Sequence, residues 1–106
     1  LECRVPGADA NPHLALAVSL ASGLYGISER LEPPDAVTGN AYEDAALPTL
    51  PSNLDHATSE LATNNILRDL LGSTFVDHYV MTRDYEVRRY ERAVTDWELR
   101  RYFEVI

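Results

Sequence analysis

Two charged side chains near the start of the chain, Glu2 and Arg4, stand at a spacing that could serve chemistry. Side chains alternate between the two faces of a β-strand, so residues two apart share a face, with Cα atoms about 6.6 Å apart. A carboxylate and a guanidinium at that distance could converge on a ligand, the carboxylate on a hard cation and the guanidinium on an anionic oxygen. The spacing alone leaves open a surface ion pair, which contributes about 0–1 kcal/mol to stability.

These two side chains share a face only if residues 1–5 form a strand. Leu1, Cys3 and Val5 would then occupy the opposite face, which their apolar character marks as the packed one. A thiol buried there is inert, so we interpret Cys3 as a packing residue rather than a nucleophile. A strand this short needs partner strands for its backbone hydrogen bonds.

Helices are predicted for most of the remaining chain. Asn11 can cap a helix that Pro12 begins, and this helix, at about residues 12–25, is apolar almost all round. A helix of that kind is enclosed on most sides, so we expect the rest of the subunit to cover it. Further helices are predicted at residues 53–63 behind a Ser52–Asp55 capping box, in a short segment ending at Gly72, from Ser73 or Thr74 to about residue 93, and after a Thr95–Glu98 capping box.

The helix that begins near residue 73 shows one stripe of residues at three- and four-residue steps, which predicts a buried face. Its members are Val76, Val80, Arg83, Val87, Tyr90 and Val94. Residues 28–52 contain four prolines and are predicted to form an extended connection, longer than most loops inside a compact domain.

Composition excludes several classes of partner. Nine basic and seventeen acidic residues give a formal net charge of −8, which would repel nucleic acid and anionic membrane surfaces. The apolar run at residues 14–27 is shorter than the roughly 20 residues of a membrane span. A single cysteine excludes an internal disulfide and indicates a reducing, cytoplasmic location. The histidines, His13, His56 and His78, are too scattered for a local metal motif.

Three segments near the start of the chain carry a family resemblance. They are Glu2-Cys3-Arg4-Val5-Pro6, Ala10-Asn11-Pro12-His13-Leu14-Ala15 and Gly23-Leu24-Tyr25-Gly26-Ile27. In this order they resemble the C-terminal part of the glutamine synthetase family, whose pattern has Tyr where this chain has His13. Later segments agree in order, among them Gly39-Asn40-Ala41-Tyr42 and Val94-Thr95-Asp96-Trp97-Glu98. The resemblance covers essentially the whole chain, and its first 27 residues are the specific part.

The resemblance implies an ATP-dependent carboxylate-amine ligase. In that family ATP phosphorylates the glutamate side chain, an amine displaces phosphate from the γ-glutamyl phosphate, and Mg²⁺ or Mn²⁺ ions hold the reacting oxygens. It implies that Glu2 is a metal ligand and that Arg4 is a catalytic and substrate-binding residue, on glutamate and the transferred phosphoryl group. Ammonia is the family's commonest amine, with a polyamine or other amine as the alternative. It further implies a homo-oligomer of stacked rings.

The expected architecture is mainly α, the C-terminal helical portion of an α+β catalytic domain with one N-terminal strand at about residues 1–5. Residues 1–106 are then a fragment of that domain, and we expect the fragment alone to be inactive, because the family's other metal ligands and nucleotide-binding residues are absent from it. A noncatalytic helical interaction module is the competing hypothesis. Tyr42 lies about where some bacterial members carry an adenylylated tyrosine, although its neighbours differ, and an ordinary loop tyrosine is the alternative.

Overall fold

Four of the five helices in the described part of the chain begin at a residue whose side-chain oxygen accepts from their free backbone amides, and the helix after Gly72 begins without such a cap. The computed structural model describes residues 2, 3, 5–44 and 46–105. In that part of the chain the helices are α1 (Pro12–Ser28), α2 (Leu54–Thr63), α3 (Asn65–Leu71), α4 (Ser73–Arg92) and α5 (Asp96–Tyr102). The mainly α class is confirmed, and α1 runs to Ser28 rather than to residue 25.

Three asparagines cap helix starts. The Oδ1 atom of Asn11 accepts from the amides of His13 and Leu14 at 3.0 and 3.3 Å. Asn64 likewise accepts from the amide of Leu67 at 2.9 Å and separates α2 from α3. For α2 the predicted cap, Ser52, is wrong by one residue: Asn53 is the N-cap, and its side chain accepts from the amide of His56 at 2.8 Å.

Gly72 both ends α3 and begins α4. Its N–H donates to the carbonyl of Arg68 at 2.9 Å, and its own carbonyl accepts from the amide of Val76 at 3.1 Å. Its φ is 86°, in the region that side chains with a Cβ rarely adopt, although a Cβ built there would meet nothing within 4 Å. Glycine is therefore required by the backbone conformation, and the two helices change direction at this residue without a linker.

The small core lies where α2 and α3 pack on the first half of α4. Among the described residues Val76 is fully buried, at 0% exposure, and Thr58 of α2 is 4% exposed. The Thr58 hydroxyl donates to the carbonyl of Leu54 at 2.7 Å, so its burial leaves no hydroxyl unsatisfied. α1 packs on α3 at the edge of this core.

Arg68 joins α3 to both of its neighbours. Its Nε–H donates to the carbonyl oxygen of Ala62 in α2 at 2.9 Å. Its Nη1 lies 2.8 Å from Oδ1 of Asp77 in α4, and the arginine side chain is only 23% exposed. These contacts fix the corner at which α2, α3 and α4 meet.

The predicted stripe on α4 is confirmed in its first part and wrong at its end. Val76 is buried, and Val80, Arg83 and Val87 are partly buried. Tyr90 and Val94 are 75% and 69% exposed. Tyr90 lies in the last turn of α4, where it lines an open groove with the start of α2, and Val94 lies beyond the end of the helix at Arg92.

The predicted strand does not form at residues 2, 3 and 5, which have no regular secondary structure. A strand is held by hydrogen bonds to a partner strand, and the described part of the chain contains none. Residues 1 and 4 of that prediction lie outside the described residues. Cys3 is exposed rather than packed, because the described residues form no sheet that would define a buried face.

The molecule is more extended than a compact domain of its size. Its radius of gyration is 18.2 Å, against about 13 Å for a compact chain of this length. Its accessible surface is 9,700 Å², against about 6,000 Å² for a compact monomer of the same mass. Much of the excess is apolar, and α1 contributes Leu16, Leu20, Leu24 and Ile27, which are 58% to 77% exposed.

We expect truncation of Val76 to weaken the junction of α2, α3 and α4. Val76→Ala removes buried methyl groups and leaves a cavity, so the free energy of unfolding should fall by about 1–3 kcal/mol. Urea unfolding followed by circular dichroism measures the change. Val105→Ala is the matched control, because Val105 is 77% exposed and its truncation should cost less than about 0.5 kcal/mol. Equal effects of the two substitutions would contradict a core centred on Val76.

Acidification should loosen the start of α5. Thr95 and Glu98 form a capping box, and hydrogen bonds from the Thr95 amide and hydroxyl lower the pKa of Glu98 below its ordinary value of 4.5. Because the pKa of Glu98 is lowered in the folded chain, the ionised carboxylate stabilises the folded state at neutral pH. This stabilisation is lost as the pH falls through the lowered pKa. NMR titration of the Glu98 carboxyl should give this low pKa in the native chain. Thr95→Ala should return it toward 4.5, whereas Thr38→Ala, in the exposed loop, should leave it unchanged.

Candidate active-site segment

The segment that carries Glu2 is fixed to the N-terminus of α1. The Ala10 amide donates to the Gly7 carbonyl at 3.1 Å and closes a turn, and the Ala15 amide donates to the Asn11 carbonyl at 3.0 Å as the helix begins. Pro12 follows the cap at the first helical position, where its missing N–H costs no hydrogen bond. The residues after Glu2 are thus led into α1 by local hydrogen bonds that the sequence encodes directly.

An apolar groove of about 330 Å³ lies beside this turn, between α1, the end of α2, α3 and the start of α4. Pro6, Ala10 and Asn11 form its rim. Its walls are apolar or aromatic: Leu14, Ala15, Val18, Leu61, Leu67, Leu71, Phe75, Val76 and Tyr79. None of the described residues that line it is charged, so they offer packing surface rather than acid, base or metal chemistry.

Glu2 is exposed in the structure, and Arg4 lies outside the described residues. The structure therefore gives the position of one of the two predicted site residues. Their convergence on a shared ligand stays a prediction, as does the alternative of a surface ion pair.

The described residues contain no group of three or more His, Cys, Asp or Glu side chains arranged to hold a metal ion. Glu2 can contribute one carboxylate oxygen donor, which is a ligand type that Mg²⁺ accepts together with waters and substrate phosphates. A single carboxylate fits one position of such a coordination shell and leaves the remaining positions to other donors. The Glu2 carboxylate is therefore a suitable ligand for Mg²⁺, but one such donor does not complete a site for the ion.

The histidines lie on separate elements. His13 is in the first turn of α1, and His78 is on α4. His56 on α2 places its Nε2 atom 3.2 Å from a carboxylate oxygen of Glu60, one helical turn away. This is a solvent-exposed pair at helical spacing, of a kind that contributes little to stability.

Tyr42 lies at the tip of the loop between α1 and α2 and is 99% exposed. The Tyr42 amide donates to Oδ1 of Asn40 at 3.1 Å, and Nδ2 of Asn40 donates to Oε1 of Glu43 at 2.8 Å. These bonds hold a turn that presents the phenol to solvent. The geometry suits an ordinary loop tyrosine, and regulation at Tyr42 stays a prediction.

The apolar groove is the feature that sequence reasoning missed. Its walls come from four helices, α1 to α4, so no local pattern indicates it. The spacing of Leu67, Leu71 and Phe75 did carry part of the signal, because these residues recur every four positions across Gly72. Without the angle at Gly72, that spacing could not indicate which helices face each other.

None of the helices that the structure describes has both the length and the apolar character needed to cross a membrane.

The family model and the known proteins that are similar to this chain indicate the same family. The family described as the catalytic domain of glutamine synthetase matches residues 1–102. The chain is 39% identical to a glutamate–isopropylamine ligase from a Pseudomonas species over 100% of its length. It is 40% identical to the type-1 glutamine synthetase 2 of Dictyostelium discoideum over 99% of its length. It is 42% identical to a gamma-glutamylethanolamide synthetase from Streptomyces coelicolor over 97% of its length.

The chain is much shorter than these relatives. It spans 24%, 21% and 22% of their respective lengths.

Proposed function

The chain belongs to the glutamine synthetase catalytic-domain family, and from that premise we propose that it is the C-terminal helical portion of a glutamate–amine ligase. The observation that carries the proposal is the family match over residues 1–102, which includes Glu2, Arg4 and the cap at Asn11. The competing hypothesis, a noncatalytic helical module, does not require Glu2 and Arg4 at these positions. Their presence favours the enzyme.

In the proposed reaction a phosphoryl group passes from ATP to the side-chain carboxylate of glutamate, and ADP leaves. The amine then attacks the γ-glutamyl phosphate, the amide bond forms, and phosphate departs with the electrons of the broken C–O bond. Bound Mg²⁺ or Mn²⁺ would supply charge neutralisation at the phosphate oxygens. Phosphoryl transfer is accelerated mainly by positioning and by stabilisation of negative charge, and both suit the residue types of this segment.

Each of the two site residues has a distinct role in the proposal. Glu2 provides one carboxylate ligand to a metal ion whose other ligands come from outside these residues. Arg4 binds glutamate and the transferred phosphoryl group, because a planar guanidinium can make two parallel hydrogen bonds to an anion. The turn at residues 7–10 and the cap at Asn11 hold the chain directly before α1.

The exposed face of α1 supports the idea of a larger domain. Leu14 and Val18 face the groove, whereas Leu16, Leu20, Leu24 and Ile27 form an outer stripe that the chain does not cover. No Asp, Glu, Lys or Arg residue occurs between Pro12 and Ser28, so no formally charged side chain of α1 borders this outer stripe. A helix with two apolar faces packs between two layers, and we propose that the rest of the catalytic domain forms the second layer.

Two acceptor amines have support. Ammonia is the first candidate, because the family name and several relatives are those of glutamine synthetases. A substituted amine is the second candidate. The relative at 39% identity is named a glutamate–isopropylamine ligase, and the relative at 42% identity is named a gamma-glutamylethanolamide synthetase. We further propose a homo-oligomer of stacked rings, which the family resemblance implies, in the cytoplasm, which the single cysteine favours.

The complete catalytic domain should form γ-glutamyl amide from ATP and glutamate, and the 106-residue chain alone should form none. The reason is that one carboxylate and one arginine do not complete a metal and nucleotide site. Mass spectrometry of the products with ammonia, isopropylamine and ethanolamine, each supplied singly, measures the activity and identifies the amine. γ-Glutamyl product from the isolated chain would contradict the proposed division of the site.

Substitution of the site residues in the complete domain should separate the enzyme from the surface-pair alternative. Glu2→Gln should raise the Mg²⁺ concentration for half-maximal activity by about tenfold or more, because a ligand carboxylate is lost. Arg4→Lys should lower kcat by about 10²-fold, because lysine cannot make the forked contact.

Matched controls for these substitutions are Glu32→Gln and Arg92→Lys, which alter the same residue types at exposed positions away from the segment. Steady-state kinetics of the four variants, with circular dichroism to verify folding, completes the test. Activity within about twofold of the parent for both site variants would indicate the surface ion pair, which contributes little.

The outer stripe of α1 should be accessible in the 106-residue chain and protected in the complete domain. In a Cys3→Ser background, Leu20→Cys should react with a maleimide rapidly in the isolated chain, because Leu20 is 67% exposed. In the complete domain its labelling rate should fall about tenfold or more. Leu31→Cys, beyond the end of α1, is the accessible reference in the isolated chain, and both variants should label equally in urea. Equal labelling of Leu20→Cys in the two folded proteins would contradict the proposed second layer.

A further inference from the structure

No further inference is drawn: the strongest candidate, the apolar groove that Leu14, Val18, Leu67, Phe75 and Val76 line between α1, α3 and α4, is an unpartnered apolar surface, and nothing in the structure shows what covers it.

Discussion

Helix α1 has apolar side chains on two opposite faces, and the chain covers only one of them. The inner face lies against α3 and the groove beside it, while the outer face is open to solvent. At about 25 cal/mol per Å² of apolar surface, an uncovered stripe of four large side chains forgoes several kcal/mol. The exposed side chains of this face add to the large accessible surface of the molecule. A helix with two apolar faces is typical of a position between two packed layers.

Most of the helix boundaries could be predicted because local groups decide them. Asn11, Asn64 and Thr95 each supply a side-chain oxygen to amides two or three residues further on. Such hydrogen bonds need no tertiary partner, so the sequence pattern is sufficient to indicate them. The one misplaced cap, Ser52, adjoins the true cap, Asn53, and both residue types serve this purpose. Here two adjacent residues compete for one role, and pattern alone does not decide between them.

The features that were predicted wrongly depend on partners distant in sequence or outside the chain. Cys3 was assigned to a packed face that exists only in a paired strand. Tyr90 is predicted to lie in a buried stripe, but at the end of α4 it lines an open groove and is 75% exposed. The candidate site is limited in the same way: Glu2 could be chosen by its residue type and by family resemblance, but the described residues contain no group of side chains arranged to hold a metal ion with it. Periodicity indicates which side of an element is apolar, and it carries no information about how far a partner extends.

The backbone conformation of Gly72 sets the direction in which α4 leaves α3. Arg68 donates to the carbonyl of Ala62 in α2 and pairs with Asp77 of α4. The pairing with α4 depends on the turn of the backbone at Gly72, which lies between the two residues. There is open space around that residue, so volume does not select it. Glycine has a hydrogen atom where every other residue type has a Cβ atom. This difference allows the backbone conformation at Gly72, which sets the direction of the longest helix and the corner where the core forms.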